Sequence, residues 1–231
     1  MIATDSTATD RIDLAQLQRE YLGDLLAARG DEAYTRIMSA LRSGHTIPDI
    51  YFEVFQESLY EVGRLWEANR ITIAGEHIST AITQFIMARL YEHLDVSDVR
   101  RGNAVMAGVR GELHQIGVNM VSDALEADGW NVMFLGASIP PERIIHAVKL
   151  HQATLLGISA TLSSSIPHVV ELVTAVRQEL EAQAPHFLLG GGAFRTIRAL
   201  PGELAGCLLA QTLRDAVQVA RTLASEGTPS R

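Results

Sequence analysis

The run AVMAGVRGELHQIGVN, residues 104–119, decides how this chain is read. A short apolar segment is followed by Arg110, then by Gly111 and Gly117 bracketing Glu112 and His114, and then by a helical pattern. A strand that turns straight into a helix is the building unit of a parallel sheet. The same rhythm recurs downstream in NVMFLG (131–136), LLGISAT (155–161), HFLLGG (186–191) and GCLLAQ (206–211). Helices are expected near 117–128, 141–152, 165–183, 194–200 and 212–225, and the last apolar run also reads as a continuing helix. Strand and helix in alternation predict right-handed crossovers and a sheet covered on both faces. Such sheets bind ligands at the carboxyl ends of their strands, where the strand order reverses. The opening run therefore lies where a ligand site is expected.

Upstream the rhythm is helical. LAQLQREYLGDLLAARG places Leu14, Leu17, Tyr21, Leu22 and Leu25 at helical spacings and stops at Gly30. DEAYTRIMSALRSG forms a second helix closed by Gly44. Thr46 and Pro48 open a third, which runs through Phe52, Phe55, Leu59, Val62 and Trp66. Thr72 caps a fourth, with Ile78, Ala81, Ile82, Phe85 and Ile86 expected as its buried stripe. Four helices with short turns predict an up-and-down bundle over residues 1–94. The charged, aperiodic stretch DVSDVRRGN, 95–103, reads as a linker to a second domain at 104–231. No internal repeat or low-complexity segment is visible.

Bulk properties narrow the function. The 231 residues are 47% hydrophobic, so packed cores are expected rather than disorder. A net charge of −8 argues against a direct nucleic-acid partner. The single cysteine, Cys207, reads as a buried small hydrophobe and can form no internal disulfide, which fits a reducing compartment. The first residues, MIATDSTATD, carry no secretory signal, and no apolar run reaches about 18 residues, so a cytoplasmic protein without a membrane partner is expected.

At the predicted sheet edge, His114 is the natural ligand or acid–base group. Glu112, two residues away, is placed to hold one ring nitrogen and aim the other at a metal. The alternative is a surface-loop histidine. Closed zinc sites want about four convergent ligands, and neither H-E-x-x-H nor a cysteine cluster is present. Ser159 and Thr161 offer hydroxyls at the tip of the third strand, although Ser163, Ser164 or Ser165 reads equally as a helix cap. Gly190, Gly191 and Gly192 give room for a ligand against backbone, or simply a tight turn. The pattern is no dinucleotide fingerprint, because RGELHQIG lacks G-x-G-x-x-G.

Taken in order, Glu112-x-His114-x-x-Gly117, Ser159 with Thr161, and the Gly190–Gly191 pair resemble a cobalamin-binding module with a helical cap. The resemblance implies an α/β fold class, with an N-terminal four-helix bundle followed by a Rossmann-like, flavodoxin-like parallel-sheet domain. It also implies that cobalamin binds with its benzimidazole displaced, His114 becoming the lower axial ligand of cobalt and Glu112 standing behind it. In the bundle, Trp66 followed after nine residues by Glu76 and His77 resembles the light-sensing adenosylcobalamin proteins. Carried over, Trp66 covers the upper ligand and Glu76 and His77 line its pocket. Read without the resemblance, Trp66 is bundle core and Glu76–His77 solvated surface.

Two departures follow. Only about ten residues precede the bundle, where the DNA-binding sensors carry a winged helix, so operator binding is not expected. Some sensors also place a cobalt-capturing histidine directly after the tryptophan; here that residue is Glu67, and the sequence leaves His77 as a substitute without requiring it. The resemblance thus implies a non-enzymatic sensor signalling through an unidentified protein partner or a homo-oligomer. Stand-alone corrinoid methyl carriers share the layout and form the alternative. Some relatives pair cobalamin with a bilin, which here would be noncovalent because Cys207 lies late in the second domain. A mutase would need a separate substrate barrel, and none is encoded in these residues.

Overall fold

A computed structural model describes residues 11–197 and 199–226. The chain's first residues, where no secretory signal is expected, and Arg198 in the expected fourth sheet-domain helix lie outside them. The chain forms two compact units, one ending at His93 and the other beginning at Leu94.

The first unit is helical: α1 (Leu14–Leu26), α2 (Gly30–Arg42), α3 (Ile47–Ile50), α4 (Gln56–Glu67) and α5 (Ile73–Leu90). Helices α3 and α4 are one rod joined by a π-helical turn at Tyr51–Phe55. Thr46 opens the rod with a capping box to Asp49, and Thr72 caps α5 through the Gly75 N–H. Gly30 begins α2 rather than ending α1; the break falls at Ala28, with φ +56°. Tyr21 stacks on Phe55 at 5.0 Å and Phe55 on Tyr51 at 5.5 Å, all three buried. Buried Asp24 binds Arg29 at 2.7 Å and Arg36 at 2.5 Å, tying α1 to α2.

One expectation fails in α5. Ile78, Ala81 and Phe85 face outward and Ile82 is only partly covered; of the expected stripe Ile86 alone is buried. The inward face is Ser79, Thr83, Ile86, Met87 and Leu90. The hydroxyls tolerate burial because each finds a partner. Ser79 Oγ donates to Gly75 O at 2.9 Å, and Thr83 Oγ1 donates to Ser79 O at 2.9 Å. With its proton so used, Thr83 Oγ1 accepts from the buried Tyr21 hydroxyl at 2.9 Å.

The second unit is a five-stranded parallel sheet in the order β2-β1-β3-β4-β5. Its strands are β1 (Gly102–Gly108), β2 (Trp130–Gly136), β3 (Leu155–Ser159), β4 (His186–Gly190) and the short β5 (Leu208–Leu209). Helices α6 (Ile116–Ala127), α7 (Pro141–His151), α8 (Ile166–Leu180), α9 (Gly192–Thr196) and α10 (Leu213–Glu226) connect and follow them. Val105, Ala107, Leu156, Ile158, Phe187 and Leu189 share one core with α7 and α8, while α6 and α10 pack together. The chain leaves β1 for β2 on one side and returns to β3 on the other. The strand order therefore reverses between β1 and β3, and the loops after those two strands flank a crevice. This is the flavodoxin-like order that the resemblance implies, in a parallel sheet as the alternating rhythm predicts. Among the described residues, no helix is long and apolar enough to cross a membrane.

Candidate functional site

The loop after β1 carries the site. Glu112 is 1% exposed, and its side chain lies over Gly108 at the end of the strand. Oε1 takes the His114 Nδ1 proton at 2.6 Å and the His114 backbone N–H at 2.9 Å. Oε2 accepts the Thr161 N–H at 2.5 Å, from the loop after β3. One buried carboxylate thus joins both loops of the crevice. Burial pushes its carboxyl pKa up, but the bonds from the His114 ring, the Thr161 N–H and the His114 N–H outweigh burial and hold it below the ordinary carboxylate value. It is an anion, and an anion keeps the proton of a neutral His114 on Nδ1. Nε2 is then the basic nitrogen of a side chain 57% exposed.

Strand register builds the wall beside it. Gly108 pairs with Ser159, and Ser159 with Gly190. All three lie on the sheet face opposite the Val105–Ala107 core, making a row of small residues at the carboxyl edge. One row below, the Met106 sulfur occupies the space a Gly157 side chain would take, 2.3 Å from its would-be Cβ. On α6, a Cβ added at Gly117 would meet nothing within 4 Å. Leu113 and Leu162 stand exposed on the two loops that Glu112 joins, apolar residues next in sequence to His114 and Thr161. This set fits a corrin: one aimed nitrogen for the metal, apolar residues on the two loops for the macrocycle, and a narrow row of small residues for a side arm. Among the described residues no three His, Cys, Asp or Glu side chains gather to hold a bare metal ion.

Several expected roles change. Thr161 lies beyond the end of β3, and its backbone N–H bonds Glu112. Ser163–Ser165 form a 3-10 turn in which Ser165 makes no side-chain capping bond. Gly191 (φ +99°) is required by the fold itself, since a Cβ there would lie 2.3 Å from Ala160 O. Gly190 carries the open edge instead. The sequence reading passed over Leu113 and Leu162, whose signal is an apolar residue inside a polar loop, and Ser138, whose hydroxyl accepts from the Gly111 N–H at 3.1 Å.

The remaining candidates belong to the bundle. Trp66 lies in the last turn of α4 and is 46% exposed, so it is no core residue. Glu76 and His77 lie in the first turns of α5 and bond to each other. The fold thus brings Glu112, His114, Ser159, Thr161, Gly190 and Gly191 together on the sheet. It places Trp66, Glu76 and His77 in the other unit.

Comparison with known proteins agrees with this fold. A model of the B12 binding domain matches residues 102–216, and a second B12 binding domain model matches residues 17–91. The HTH-type transcriptional repressor CarH of Myxococcus xanthus is 30% identical over 154 residues, taking in 66% of this chain and 50% of that protein. The methanol–corrinoid protein of Methanosarcina barkeri is 24% identical over 163 residues, 71% of this chain and 62% of that one. The chain therefore spans about half to two thirds of the length of these relatives. The monomethylamine corrinoid protein of Methanosarcina barkeri shares the fold, with a TM-score of 0.80 over 91% of this chain and 100% of that one at 20% identity. The chain belongs to the B12-binding family and is a cobalamin-binding protein, with one B12 binding domain matched in each of its two units.

Proposed function

We propose that this protein is a sensor that binds adenosylcobalamin, responds to light, and signals through a protein partner or a change of oligomeric state. His114 would ligate the cobalt, Glu112 would fix its tautomer, and Ser159, Gly117 and Gly190 would make room for the cofactor's benzimidazole arm. Bound adenosylcobalamin supplies a cobalt–carbon bond that light breaks. Trp66 gives the upper ligand a flat apolar lid with one N–H donor, and Glu76 and His77 line the same pocket. The observation that carries the corrin reading is the buried, triply bonded Glu112 holding His114 Nδ1. The sensor reading is favoured by an indole standing half exposed in the last turn of α4, together with the likeness to the CarH repressor. Signalling requires that the upper ligand favour one protein arrangement over another, since equal affinity for both would shift nothing.

The likeness to the methanol–corrinoid protein favours a second reading, a methyl carrier serving methyltransferases. One experiment separates the two. The chain is loaded with adenosylcobalamin, and its absorbance and elution volume are recorded before and after green light. A sensor shows a permanent spectral change with a shift in elution. Preference for methylcobalamin, with dark methyl transfer to a thiol, establishes the carrier instead. His114→Ala removes the histidine-ligated spectrum under either reading, and an unchanged spectrum refutes the lower-ligand assignment.

A further inference from the structure

Among the described residues, five other than glycine take a positive φ: Ala28, Asn69, Ser138, Gln152 and Glu181. Four of them follow helices α1, α4, α7 and α8, where a left-handed backbone commonly ends the helix. Ser138, with φ +56°, ends no helix. It lies in the loop between β2 and α7. A serine gains nothing from this backbone by itself, so its surroundings must hold it there.

Its neighbours supply the hold. The Ala137 Cα packs over Gly108 at the end of β1, 3.2 Å from where a Cβ would lie. The Ile139 N–H donates to Gly108 O at 3.2 Å, and the Ile139 side chain packs on the sheet core. Pro140 and Pro141 follow, and a residue before proline is confined to extended backbone. So held, the Ser138 hydroxyl accepts from the Gly111 N–H at 3.1 Å. Gly111 directly precedes Glu112 in the loop that carries His114. The bond is exposed, and water would serve the Gly111 N–H as well, so the fold gains little from it. What the bond fixes is a position. In the strand order β1 lies between β2 and β3. Glu112 ties the β1 loop to the β3 side through the Thr161 N–H, and Ser138 ties it to the β2 side.

We propose that Ser138 is a positioning residue for cobalamin binding: through Gly111 it steadies the loop on which His114 presents Nε2. The proposal rests on the corrin reading of His114. Glu112 orients the ring and Ser138 orients the loop beneath it.

The test titrates the full chain with hydroxocobalamin in the dark and follows absorbance. Ser138→Gly removes the hydroxyl and relieves the backbone strain while adding freedom to the unfolded chain, so the thermal midpoint of the cofactor-free protein stays near that of wild type. Affinity falls about tenfold, the low end of the range for a partner standing behind a metal ligand. In a His114→Ala background the same substitution costs less than about twofold, because the loop then has no ligand to aim. Binding by Ser138→Gly within about twofold of wild type overturns the assignment, and so does a loss that persists undiminished in the His114→Ala background. A thermal midpoint that falls in step with the affinity makes Ser138 a structural residue only and overturns it too. The corrin reading is tested separately. His114→Ala that binds as tightly as wild type, with the same spectrum, overturns that reading and this inference with it. His114→Ala that loses the histidine-ligated spectrum, beside Ser138→Gly that binds normally, overturns this inference alone.

Discussion

Glu112→Gln probes the site at its most constrained atom pair. The carboxylate accepts three bonds, two at Oε1 from His114 and one at Oε2 from the Thr161 N–H. A glutamine keeps one accepting oxygen. Whichever way the amide turns, its NH2 group faces a donor, either the Thr161 N–H or the pair from His114. At least one charge-assisted bond is lost in a buried place, at about 1.5–3 kcal/mol, and the bonds that remain weaken when the charge goes. Relief from burying a charge offsets part of this, so the net loss is about 2 kcal/mol. For a chain of this size that lowers the thermal midpoint of the cofactor-free protein by roughly 4–8 °C.

The same substitution loosens the ring that ligates the metal. Loss of such an outer partner costs about 10–100-fold in metal affinity, and cobalamin titration followed by absorbance reads this directly. Because Glu112 acts through His114, the affinity loss should vanish in a His114→Ala background, whereas the loss of thermal stability should persist there in part through Thr161. A Glu112→Gln protein that binds cobalamin within about twofold of wild type, a difference well below that 10–100-fold range, would refute the positioning argument.

Three further outcomes test other parts of the structure. Trp66→Ala should lower stability by less than about 1 kcal/mol, because the indole is half exposed, while the preference for adenosylcobalamin over hydroxocobalamin drops about tenfold with the lost ring contact; level relative affinities would dismiss the lid. Gly191→Ala should destabilise the sheet unit by about 3 kcal/mol or more, since the new methyl would meet Ala160 O at 2.3 Å in a left-handed backbone, and urea unfolding that matches wild type would contradict the close approach. Burial raises the Tyr21 pKa, so the folded state holds the phenol proton more tightly than the unfolded chain. The associated stability is complete below about pH 10, the unfolded value, and is lost as pH climbs towards the folded one. Tyr21→Phe should cost about 1 kcal/mol at neutral pH and flatten the alkaline decline in thermal midpoint; an unchanged decline would place its origin elsewhere.

The parallel sheet was legible because its signal is local: apolar runs end in glycine or serine and helices follow them. The bundle was legible as four helices, but not as to which side of α5 faces inward. Ile78, Ala81, Phe85 and their neighbours form the more apolar stripe, and burial of the apolar side is the ordinary outcome. Here Ser79 and Thr83 go inside, because their hydroxyls bond carbonyls one turn back and Thr83 also receives the Tyr21 proton. The hydroxyl of Tyr21 comes from a helix far away in sequence, so no window along α5 contains it. The bond from Thr161 to Glu112 was illegible for a related reason: it uses a backbone N–H, which every residue except proline carries. Glu112 and His114 could be found because only their side chains supply the chemistry. The inverted helix is the more informative miss. A helix that turns Ile73, Ile78 and Phe85 to solvent and a braced imidazole with them has kept apolar surface that its own fold does not bury. Under the proposed sensor reading, a ligand with apolar edges and a metal centre would give that surface a use.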